Sequence, residues 1–487
     1  MGEKIGTIVT VLLVGLCLSA GAAYAEDRHG SPTSSTEMQA SEQTQKVDPD
    51  EAVQAYGGSP ESGKALISLT EVVPGLTPVS DYRGDIWNRS TLVGDPGGKR
   101  QQLYNFGVTL DASVTQVVQG VAKGGADNGQ MRYNGLLDYG VSFDTGKLGL
   151  WSGGLFVATA QTSWAKPLDS QPGSISPVNF TAMYPVPFDN DTVLMEYYWT
   201  QVFPKEISVV VGRVNATNFL DRNRFANDPH NQFLNVSLNN DLLFGEFFQF
   251  STYATLLSVP LTKDFIVGGA AWTPKTAVGD GDYGGDWTEW GAAGFVDYSW
   301  NLAHELGGNT SLYFLFSSAD TADIDNPALL EELITGNVKE KSNNWMIAFK
   351  AEQYVWKPDK SASNQVRTRA FDFQEPGVGL FFRFGYTPKD RNLWNMSTSG
   401  GVGARGVIPG RPYDRMGVGF YTLTESDDLA KQPLIDRQVS TELGLEAYYN
   451  FAITPWAQLS ADIQWIDSGL TANDDVVVLG TRLFTQF

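Results

Sequence analysis

Hydrophobic and polar residues alternate at every second position along much of this chain. The C-terminal segment, 476–487, shows the pattern most clearly. One face carries valine, leucine and a terminal Phe487, and the other carries Gly480, Arg482 and Gln486. A period of two places successive side chains on opposite faces of a β-strand. We therefore predict a strand with one apolar side and one polar side that ends on an aromatic residue.

The same two-sided pattern returns in four other segments, which are 104–115, 132–143, 442–451 and 458–465. Weaker alternation lies at 149–164, 193–203, 206–216, 243–258, 263–273, 291–302, 309–318, 343–356, 378–387, 393–405 and 415–423. About ten residues is the length that a tilted strand needs to cross a bilayer. Together these segments predict an all-β chain that forms a transmembrane antiparallel β-barrel of about 16 strands, an even number that returns both chain ends to the same side.

Longer connections between the predicted strands are expected to be extracellular loops, because bacterial outer-membrane barrels keep their other turns short. They span 166–191, 217–240, 274–290 and 319–341. In the last of them, Asp325, Asn326 and Pro327 precede an apolar run at 328–334. A capping residue followed by proline and a short apolar run predicts one helical segment there.

Residues 1–25 have the three parts of a secretory signal peptide. Lys4 gives a positive start, 8–18 is apolar, and an Ala-Tyr-Ala cleavage site ends at Ala25. The apolar run is too short to span a membrane. Cys17, the only cysteine, lies inside it, so the exported chain is expected to contain neither a thiol nor a disulfide.

Residues 26–93 are predicted to form a polar extension and a transition segment. The first part is rich in Ser, Thr, Gln and Glu and holds few large apolar side chains, so it cannot bury enough surface to offset its chain entropy. We expect a flexible N-terminal periplasmic extension that leads into a barrel domain at 94–487. Beyond Ala25 no run of about eighteen apolar residues occurs, so no transmembrane helix is expected.

Composition and charge narrow the class of protein. Aromatic residues make up 12% and glycines number 51, as in a β-rich chain with many turns. The net charge of −21 argues against nucleic-acid binding, which needs lysine and arginine on the phosphate backbone. Soluble β-sandwiches and propellers also have strands with one apolar face. The signal peptide, the terminal phenylalanine and the tryptophans near segment ends favour a barrel in the outer membrane of a Gram-negative-type bacterium.

Several short motifs occur in an informative order. They are GDPGGKR at 94–100 followed by Leu103, VGR at 211–213, FA at 225–226, QFLN at 232–235, DRMGVGF at 414–420 and ITPWAQLSADIQWI at 453–466. Together they resemble the carbohydrate-selective porin (OprB) family over residues 92–487. Pro96 stands where the family usually has Trp, and Ala461 stands where Pro is common. The resemblance implies a β-barrel that passes glucose and related sugars through a charged constriction.

If the apolar faces point to lipid, the opposite faces line the lumen. A charged side chain that faces lipid near the bilayer midplane costs roughly two to four kcal/mol, so charged strand residues are expected inside. The lumen-facing candidates for substrate contact and constriction are Arg213, Arg383, Arg132, Asp138, Glu196, Lys350, Glu352, Glu446 and Arg482. Of these, Arg213 and Arg383 are the main candidates for the constriction, although Arg213 shares a face with valines.

The candidates mix acids and bases, and this mixture bears on the solute. A phosphate pore needs a ladder of lysine and arginine. Carboxylates accept hydrogen bonds from hydroxyl groups and guanidinium groups donate to hydroxyl oxygens, so mixed charge suits a neutral polyol. The sequence therefore predicts a porin for passive, substrate-biased diffusion of glucose-like sugars. Its expected partners are monosaccharides or small oligosaccharides, outer-membrane lipid and lipopolysaccharide, and the barrel is either a monomer or a homotrimer.

Other functions stay open at this point. The acidic balance also fits a channel for cations or basic amino acids. A structural or adhesive surface barrel with a blocked lumen would show the same strands. An outer-membrane hydrolase has the least support, because no clearly predicted strand carries one of the three histidines, His29, His230 and His304.

No cofactor or metal ion is expected. His304 is not followed by a second histidine at helical spacing. The glycines of 401–406 match a dinucleotide fingerprint in letters only, because the chain runs on to Pro409 and cannot open a helix there. The acidic loop at 280–286 has Gly284 where a calcium loop of the EF-hand type needs Asp or Asn.

Overall fold

A computed structural model describes residues 82, 84–127, 129–168, 170–274, 287–302, 306–358, 375–432 and 439–487. In these residues sixteen antiparallel strands close into one barrel, as the alternation predicts. The predicted signal peptide and most of the predicted extension lie outside the described residues.

The barrel strands are β1 (Val108–Lys123), β2 (Met131–Asp144), β3 (Gly154–Lys166), β4 (Thr192–Val202), β5 (Ser208–Val214), β6 (Thr252–Pro260), β7 (Phe265–Trp272), β8 (Gly291–Leu302), β9 (Leu306–Ser317), β12 (Asn344–Trp356), β13 (Gly377–Tyr386), β14 (Trp394–Arg405), β15 (Arg415–Glu425), β16 (Glu442–Thr454), β17 (Ala457–Asp467) and β18 (Val476–Gln486). Two short strands, β10 (Thr321–Ala322) and β11 (Glu340–Lys341), pair with each other in the loop between β9 and β12.

The helices of the described residues are short, and none is long and apolar enough to cross a bilayer. They are α1 (Lys99–Phe106), α2 (Thr217–Leu220), α3 (Val236–Asn239) and α4 (Leu329–Thr335), with 3-10 turns at Pro96–Gly98, Phe180–Met183, Pro204–Glu206 and Leu242–Glu246. The helix predicted at 328–334 is confirmed by α4.

The two ends of the barrel differ in the length of their connections. The end that holds the start of β1 and the end of β18 has short turns at 203–207, 261–264 and 455–456; we call it the turn end. The opposite end, the loop end, carries connections such as 167–191 and 318–343. In bacterial outer-membrane barrels the short turns face the periplasm and the long loops face outward, which orients this chain.

The last strand closes the barrel against the first. β18 pairs antiparallel with β1, with Thr115 opposite Phe484, and the Phe487 amide donates to the Ala112 carbonyl at 2.8 Å. The two predicted faces of β18 are present, because Leu479 is 46% exposed on the outer surface and Arg482 is 1% exposed. Closure leaves no unpaired strand edge in the bilayer, where an unmet backbone group is costly.

Aromatic side chains gather on the strands at both ends of the barrel. At the turn end, the Phe156 ring centroid lies 6.4 Å from that of Trp199 and 6.5 Å from that of Trp151. At the loop end, the Trp345 centroid lies 5.9 Å from that of Tyr386. Such girdles mark the two membrane-water boundaries of an outer-membrane barrel.

Several strand boundaries differ from the prediction, and two of the strand starts have a clear local cause. The first predicted strand includes residues 104–107, but Gly107 adopts φ 103° and its amide donates to the Tyr104 carbonyl, which ends α1 there. A left-handed glycine is a common end of a helix, so β1 begins one residue later. Residues 243–251 also precede the strand, because Asp241 accepts from the Leu243 amide at 3.1 Å and starts a 3-10 turn.

The motif before β1 joins the two chain ends of the barrel. Asp95 Oδ1 accepts from the Arg100 amide at 2.9 Å and so caps the start of α1. The Arg100 guanidinium then donates to the Phe487 carbonyl at 3.0 Å and to the Leu110 carbonyl at 2.8 Å. It also lies 4.3 Å from the centre of the Tyr82 ring. One side chain therefore links the entering segment, β1 and the C-terminus.

We expect Arg100→Ala to lower the thermal stability of the closed barrel, because two carbonyl groups at the seam lose a charged donor. A hydrogen bond to a charged group contributes about 1.5 to 3 kcal/mol, so the midpoint of heat unfolding in detergent should fall measurably. Gln102→Ala, at an exposed position on the same helix, serves as the control. Equal midpoints for the two variants would contradict a role for Arg100 at the seam.

Candidate functional site

The connection between β5 and β6, residues 215–251, folds into the barrel; we call it the inward segment. Phe225 and Phe233 in this segment have 0% exposed surface. The Phe225 ring lies 4.8 Å from the Tyr354 ring of β12, and the Phe233 ring lies 4.8 Å from the Tyr448 ring of β16. Neither strand is a neighbour of β5 or β6 in the sheet. The segment therefore crosses the lumen and packs on distant strands.

The prediction of an extracellular loop at 217–240 is thus wrong. Its phenylalanines and leucines alternate too poorly to indicate a strand, and their burial against distant strands depends on the closed barrel. Burying a large apolar side chain contributes about 1.5 to 3 kcal/mol, which favours the inward position over an exposed loop.

Arg383 of β13 holds the middle of the inward segment. Its Nε donates to Asp221 Oδ1 at 2.9 Å, and the same guanidinium donates to the Leu238 and Asn239 carbonyls, each at 3.0 Å. Both members of the ion pair are 2% exposed. Removing one partner of a buried, hydrogen-bonded ion pair leaves the other charge unpaired, so Arg383 and Asp221 depend on each other.

Two residues of β12 hold the start of the segment. The Lys350 ammonium donates to the Leu220 carbonyl at 3.1 Å. Glu352 accepts from the Arg224 amide at 2.7 Å and lies 3.2 Å from Nε of the same arginine. Both strand residues are 3% exposed.

Charged residues of β16 and β18 hold the remaining part of the segment. Glu446 accepts from the Asn235 amide at 2.9 Å, and also from the Leu234 amide. Arg482 donates to the Gln232 carbonyl at 2.6 Å. The inward segment is therefore attached to several strands by charge-assisted hydrogen bonds, which are stronger than neutral ones.

A cavity of about 400 Å³ lies between the inward segment and strands β1 to β4, and it reaches Asp111 and Gln486 near the turn end. Polar lining residues include Ser113, Asp138, Gln161, Glu196, Asn215, Asn218, Arg222, Asn223, Arg224, Asn227, Asp228, His230, Asn231 and Arg415. Apolar lining residues include Val157, Phe180, Tyr184, Tyr198, Phe219 and Phe484. A passage with polar and aromatic surfaces is suited to a solute that has both hydroxyl groups and apolar C–H faces.

Both sides of this cavity carry charged residues. Asp138 and Glu196 lie on the strand wall, whereas Arg222 and Arg224 come from the inward segment. His230 joins the two sides: its Nδ1 lies 2.7 Å from Oγ1 of Thr115 on β1, and its Nε2 lies 4.0 Å from Oδ2 of Asp138. Asp228 of the inward segment and Arg415 of β15 also line the cavity, 3.5 Å apart, so each side carries charges of both signs and the segment adds guanidinium and amide donors.

The fold and this cavity can be compared with known proteins. The family model for the carbohydrate-selective porin, OprB family, matches residues 128–487. The chain belongs to the carbohydrate-selective porin (OprB) family. Porin B of Pseudomonas aeruginosa is 24% identical to this OprB-family chain over 439 residues, which cover 82% of this chain and 92% of Porin B. The high-pH structure of Pseudomonas putida OprB is 20% identical, covers 83% of this chain and 100% of that chain, and has a TM-score of 0.71, so the fold is shared.

Membership of the OprB family has three consequences. The predicted resemblance to this family is confirmed. The chain is a sugar-porin-type transport channel of the Gram-negative outer membrane. The transport activity of such a channel depends on the residues that line its lumen.

The nine residues predicted for the lumen of this OprB-family barrel fall into separate groups. Asp138 and Glu196 line the cavity, and Glu196 also accepts from the Asn215 amide of the inward segment at 2.9 Å. The residues that bond the inward segment are Lys350, Glu352, Arg383, Glu446 and Arg482. Arg132 is partly buried on β2, opposite Gln119 of β1 and close to the loop end.

Arg213 has a different position. It is opposite Tyr197 and Tyr253 in the sheet and shares a strand face with Val211, which is 42% exposed on the outer surface. Its guanidinium has 0% exposure, and its Nε donates to the Ser251 hydroxyl at 2.5 Å. Arg213 therefore starts from the outer face of the wall, beside the end of the inward segment, and is absent from the residues that line the cavity.

Sequence reasoning missed the side chains that the inward segment brings to the cavity. They are Asn215, Asn218, Arg222, Asn223, Arg224, Asn227, Asp228, His230 and Asn231. The sequence does carry one signal for these residues, which is the number of asparagines among the aromatic residues of 215–240. An ordinary exposed loop does not need so many amide groups, so this composition indicates a segment with many internal hydrogen bonds. Arg415 and Phe484 on the strands were missed as well.

Within the described residues, no group of three or more His, Cys, Asp or Glu side chains is arranged to hold a metal ion. His304 and the acidic residues at 280–286 lie outside the described residues. The glycines of 401–406 lie at the end of β14 and in the turn that follows, so they do not open a helix.

Asp241 makes the attachment of the inward segment to the barrel strands depend on pH. Burial raises the pKa of this carboxyl to about 6, although the Ser397 hydroxyl donates to it at 2.6 Å. As the pH rises from about 4 to about 6, the Asp241 carboxyl ionises in the unfolded chain before it ionises in the folded one. The contribution of Asp241 to the free energy of unfolding therefore falls over this range and is constant above the folded pKa.

We therefore expect hydrogen exchange of the inward segment, corrected for intrinsic rates, to be slower at pH 5 than at pH 7. Asp241→Asn should reduce this difference, because the amide can still accept from Ser397 but does not titrate. Asp189→Asn in an exposed loop is the control. Equal protection of the wild-type segment at both pH values would contradict the prediction.

Proposed function

We propose that this OprB-family chain allows passive diffusion of neutral, glucose-like sugars through the cavity between the inward segment and strands β1 to β4. The observation that carries the proposal is the lining of that cavity, which combines two strand carboxylates, an arginine- and asparagine-rich segment and a set of aromatic side chains. Each surface matches a different part of a pyranose sugar.

The polar surfaces match the hydroxyl groups. The carboxylates of Asp138 and Glu196 accept hydrogen bonds, while the Arg222 and Arg224 guanidinium groups and the asparagine amides donate them. Sugar hydroxyls both donate and accept, so a sugar exchanges its water shell for contacts with both walls. Because charges of both signs are present, the cavity attracts a neutral dipolar solute without trapping a single ion.

The aromatic surfaces match the C–H faces of the ring. Tyr198 and Phe219 form an edge-to-face pair with centroids 5.8 Å apart, and both line the cavity. Phe484 lies beside His230 with centroids 5.4 Å apart. Apolar contacts of this kind are weak and non-directional, so a sugar slides along them without tight binding.

The anchors of the inward segment complete the proposal. We infer that Arg383, Glu446 and Arg482 set the width of the passage by fixing the segment, rather than by contacting sugar. The same role fits Lys350 and Glu352. A constriction held by buried ion pairs keeps its width during each passage, which gives size selection between sugars.

Liposome swelling with sugars of graded size and charge tests the function. Neutral monosaccharides are expected to enter fastest, larger oligosaccharides to enter slowly and strongly charged sugars to be disfavoured. A swelling rate that is equal for all sugars, or zero for each of them, would contradict a sugar-selective passage. No conductance in planar bilayers would favour the structural or adhesive barrel instead.

Reversal potentials distinguish the alternative function, a channel for cations or basic amino acids, from the proposed sugar path. The proposed sugar path predicts that added glucose lowers single-channel current in a concentration-dependent way. Strong cation selectivity without any effect of glucose would support the cation channel and overturn the sugar path.

A further inference from the structure

The segment that precedes β1 leaves apolar side chains exposed at the turn end of the barrel. Trp87 is 67% exposed, Phe106 is 63% exposed and Leu103 is 40% exposed. Exposed large apolar side chains that are grouped in this way mark an interaction surface. They lie outside the strands, so the lipid contact of the barrel wall does not by itself explain them.

The exposed side chains of α1 share one face with a cation. Lys99, Leu103 and Phe106 follow one another at intervals of four and three residues, so they project from the same side of the helix. Lys99 is also exposed, and α1 contains no acidic residue. A short helix with an apolar stripe and a lysine fits the boundary between acyl chains and anionic headgroups.

Trp87 is presented by a rigid turn. Asp85 Oδ1 accepts from the Trp87 amide at 2.9 Å and from the Asn88 amide at 3.1 Å, which fixes residues 85–88. The Trp456 indole in the β16–β17 turn donates to the Ile86 carbonyl at 2.6 Å. The turn is therefore attached directly to the rim of the barrel wall.

The helix is continuous with the aromatic girdle on the other side. The Lys147 ammonium lies 3.3 Å from the centre of the Tyr104 ring, so the β2–β3 turn contacts α1. The same turn exposes Leu150 by 64% and Trp151 by 46%, and the Trp151 ring meets Phe156 of the girdle. The exposed surface of 85–106 thus extends the membrane boundary of the barrel at the turn end.

We propose that residues 85–106 form an interfacial anchor, in which Trp87, Leu103 and Phe106 enter the headgroup boundary of the inner phospholipid leaflet while Lys99 lies beside anionic headgroups. The anchor holds the segment before β1 against the membrane, and it keeps Arg100 over the seam between β1 and β18. It adds a lipid contact made by residues outside the sixteen strands.

Site-directed spin labelling tests the anchor in the full-length chain. Cys17 is the only cysteine, so Cys17→Ala gives a background for single-cysteine variants. Labels are placed with Trp87→Cys and Phe106→Cys, and the protein is reconstituted into vesicles of phosphatidylethanolamine and phosphatidylglycerol. Leu479→Cys on the outer wall is the lipid-exposed reference. Lys263→Cys is the water-exposed reference, because Lys263 has 89% side-chain exposure in a turn at the same end.

The expected result is that the labels at 87 and 106 collide more often with dissolved oxygen than with a water-soluble nickel reagent, as at 479 and in contrast to 263. Labels at 87 and 106 that behave like the one at 263 would overturn the anchor. Spin-spin broadening at 106 that disappears on dilution with unlabelled protein would overturn it too, because a second copy of the chain would then cover the surface. Heat-modifiability of each variant on gels verifies that its barrel has closed.

Discussion

Arg383→Ala is expected to raise single-channel conductance and to abolish most of the discrimination between sugars of different size. The substitution removes the donor to Asp221 and to the Leu238 and Asn239 carbonyls at once. Breaking a buried pair by removing one partner costs about 3 to 5 kcal/mol, which is enough to detach part of the inward segment. The measurement is planar-bilayer conductance combined with swelling rates for a monosaccharide and a trisaccharide.

The control for this variant is Arg391→Ala. Arg391 lies in the loop between β13 and β14, pairs with Asp390 at 3.5 Å and has 24% side-chain exposure. A partly exposed ion pair contributes only about 0 to 1 kcal/mol to the free energy of unfolding, so its removal should leave the conductance at the wild-type value. Wild-type conductance and sugar discrimination in a folded Arg383→Ala barrel would show that Arg383 does not fix the passage.

The double variant Asp138→Asn with Glu196→Gln is expected to weaken glucose block of the ion current and to shift ion selectivity toward anions. Both substitutions keep the size of the side chain but remove a charged acceptor from the strand wall of the cavity. Loss of one charge-assisted hydrogen bond to a sugar is worth about 1.5 kcal/mol or more, so the half-blocking glucose concentration should rise roughly tenfold.

Asp297→Asn is a matched control for the two acids of the strand wall. Asp297 is also a buried acid on a barrel strand, but it accepts from Asn309 at 2.7 Å and from Ser311 at 2.5 Å and does not line the cavity. Its variant should keep the wild-type glucose block. If the double variant also keeps that block, the strand wall does not contact the solute.

The barrel was predictable because its pattern is local. The side-chain alternation of a strand depends on neighbours two positions apart, so Leu479 and Arg482 could be assigned to opposite faces without any knowledge of the partner strands. The same holds for α4, where Asn326 and Pro327 precede a short apolar run. The ends of strands and helices were harder to predict where the backbone conformation of one residue sets the boundary, as Gly107 does between α1 and β1.

The path through the barrel was not predictable in the same way. Alternation indicates which face a residue is on, but it does not give the height of that residue or what lies opposite it. Arg383 is on the face that was expected, yet it bonds Asp221 in a segment that comes from a strand elsewhere in the barrel. The burial of Phe225 against Tyr354 likewise exists only after the barrel has closed.

The two main arginine candidates show how far such reasoning extends. The two lie in different positions relative to the inward segment. Arg383 fixes the segment from the lumen side. Arg213 lies at the end of that segment beside Tyr197 and Tyr253, on a face that it shares with outward-pointing valine.

The most direct test of the sugar path is thiol modification of Asn218→Cys in a Cys17→Ala background, followed by single-channel recording with and without glucose. Asn218 lines the cavity and is exposed to it, whereas Asn190→Cys in the loop between β3 and β4 serves as a control outside. If sugars pass between the inward segment and the strand wall, a charged thiol reagent at 218 lowers the conductance and glucose slows its reaction, with neither effect at 190. Modification at 218 that leaves the current unchanged and proceeds at the same rate in glucose would contradict that path.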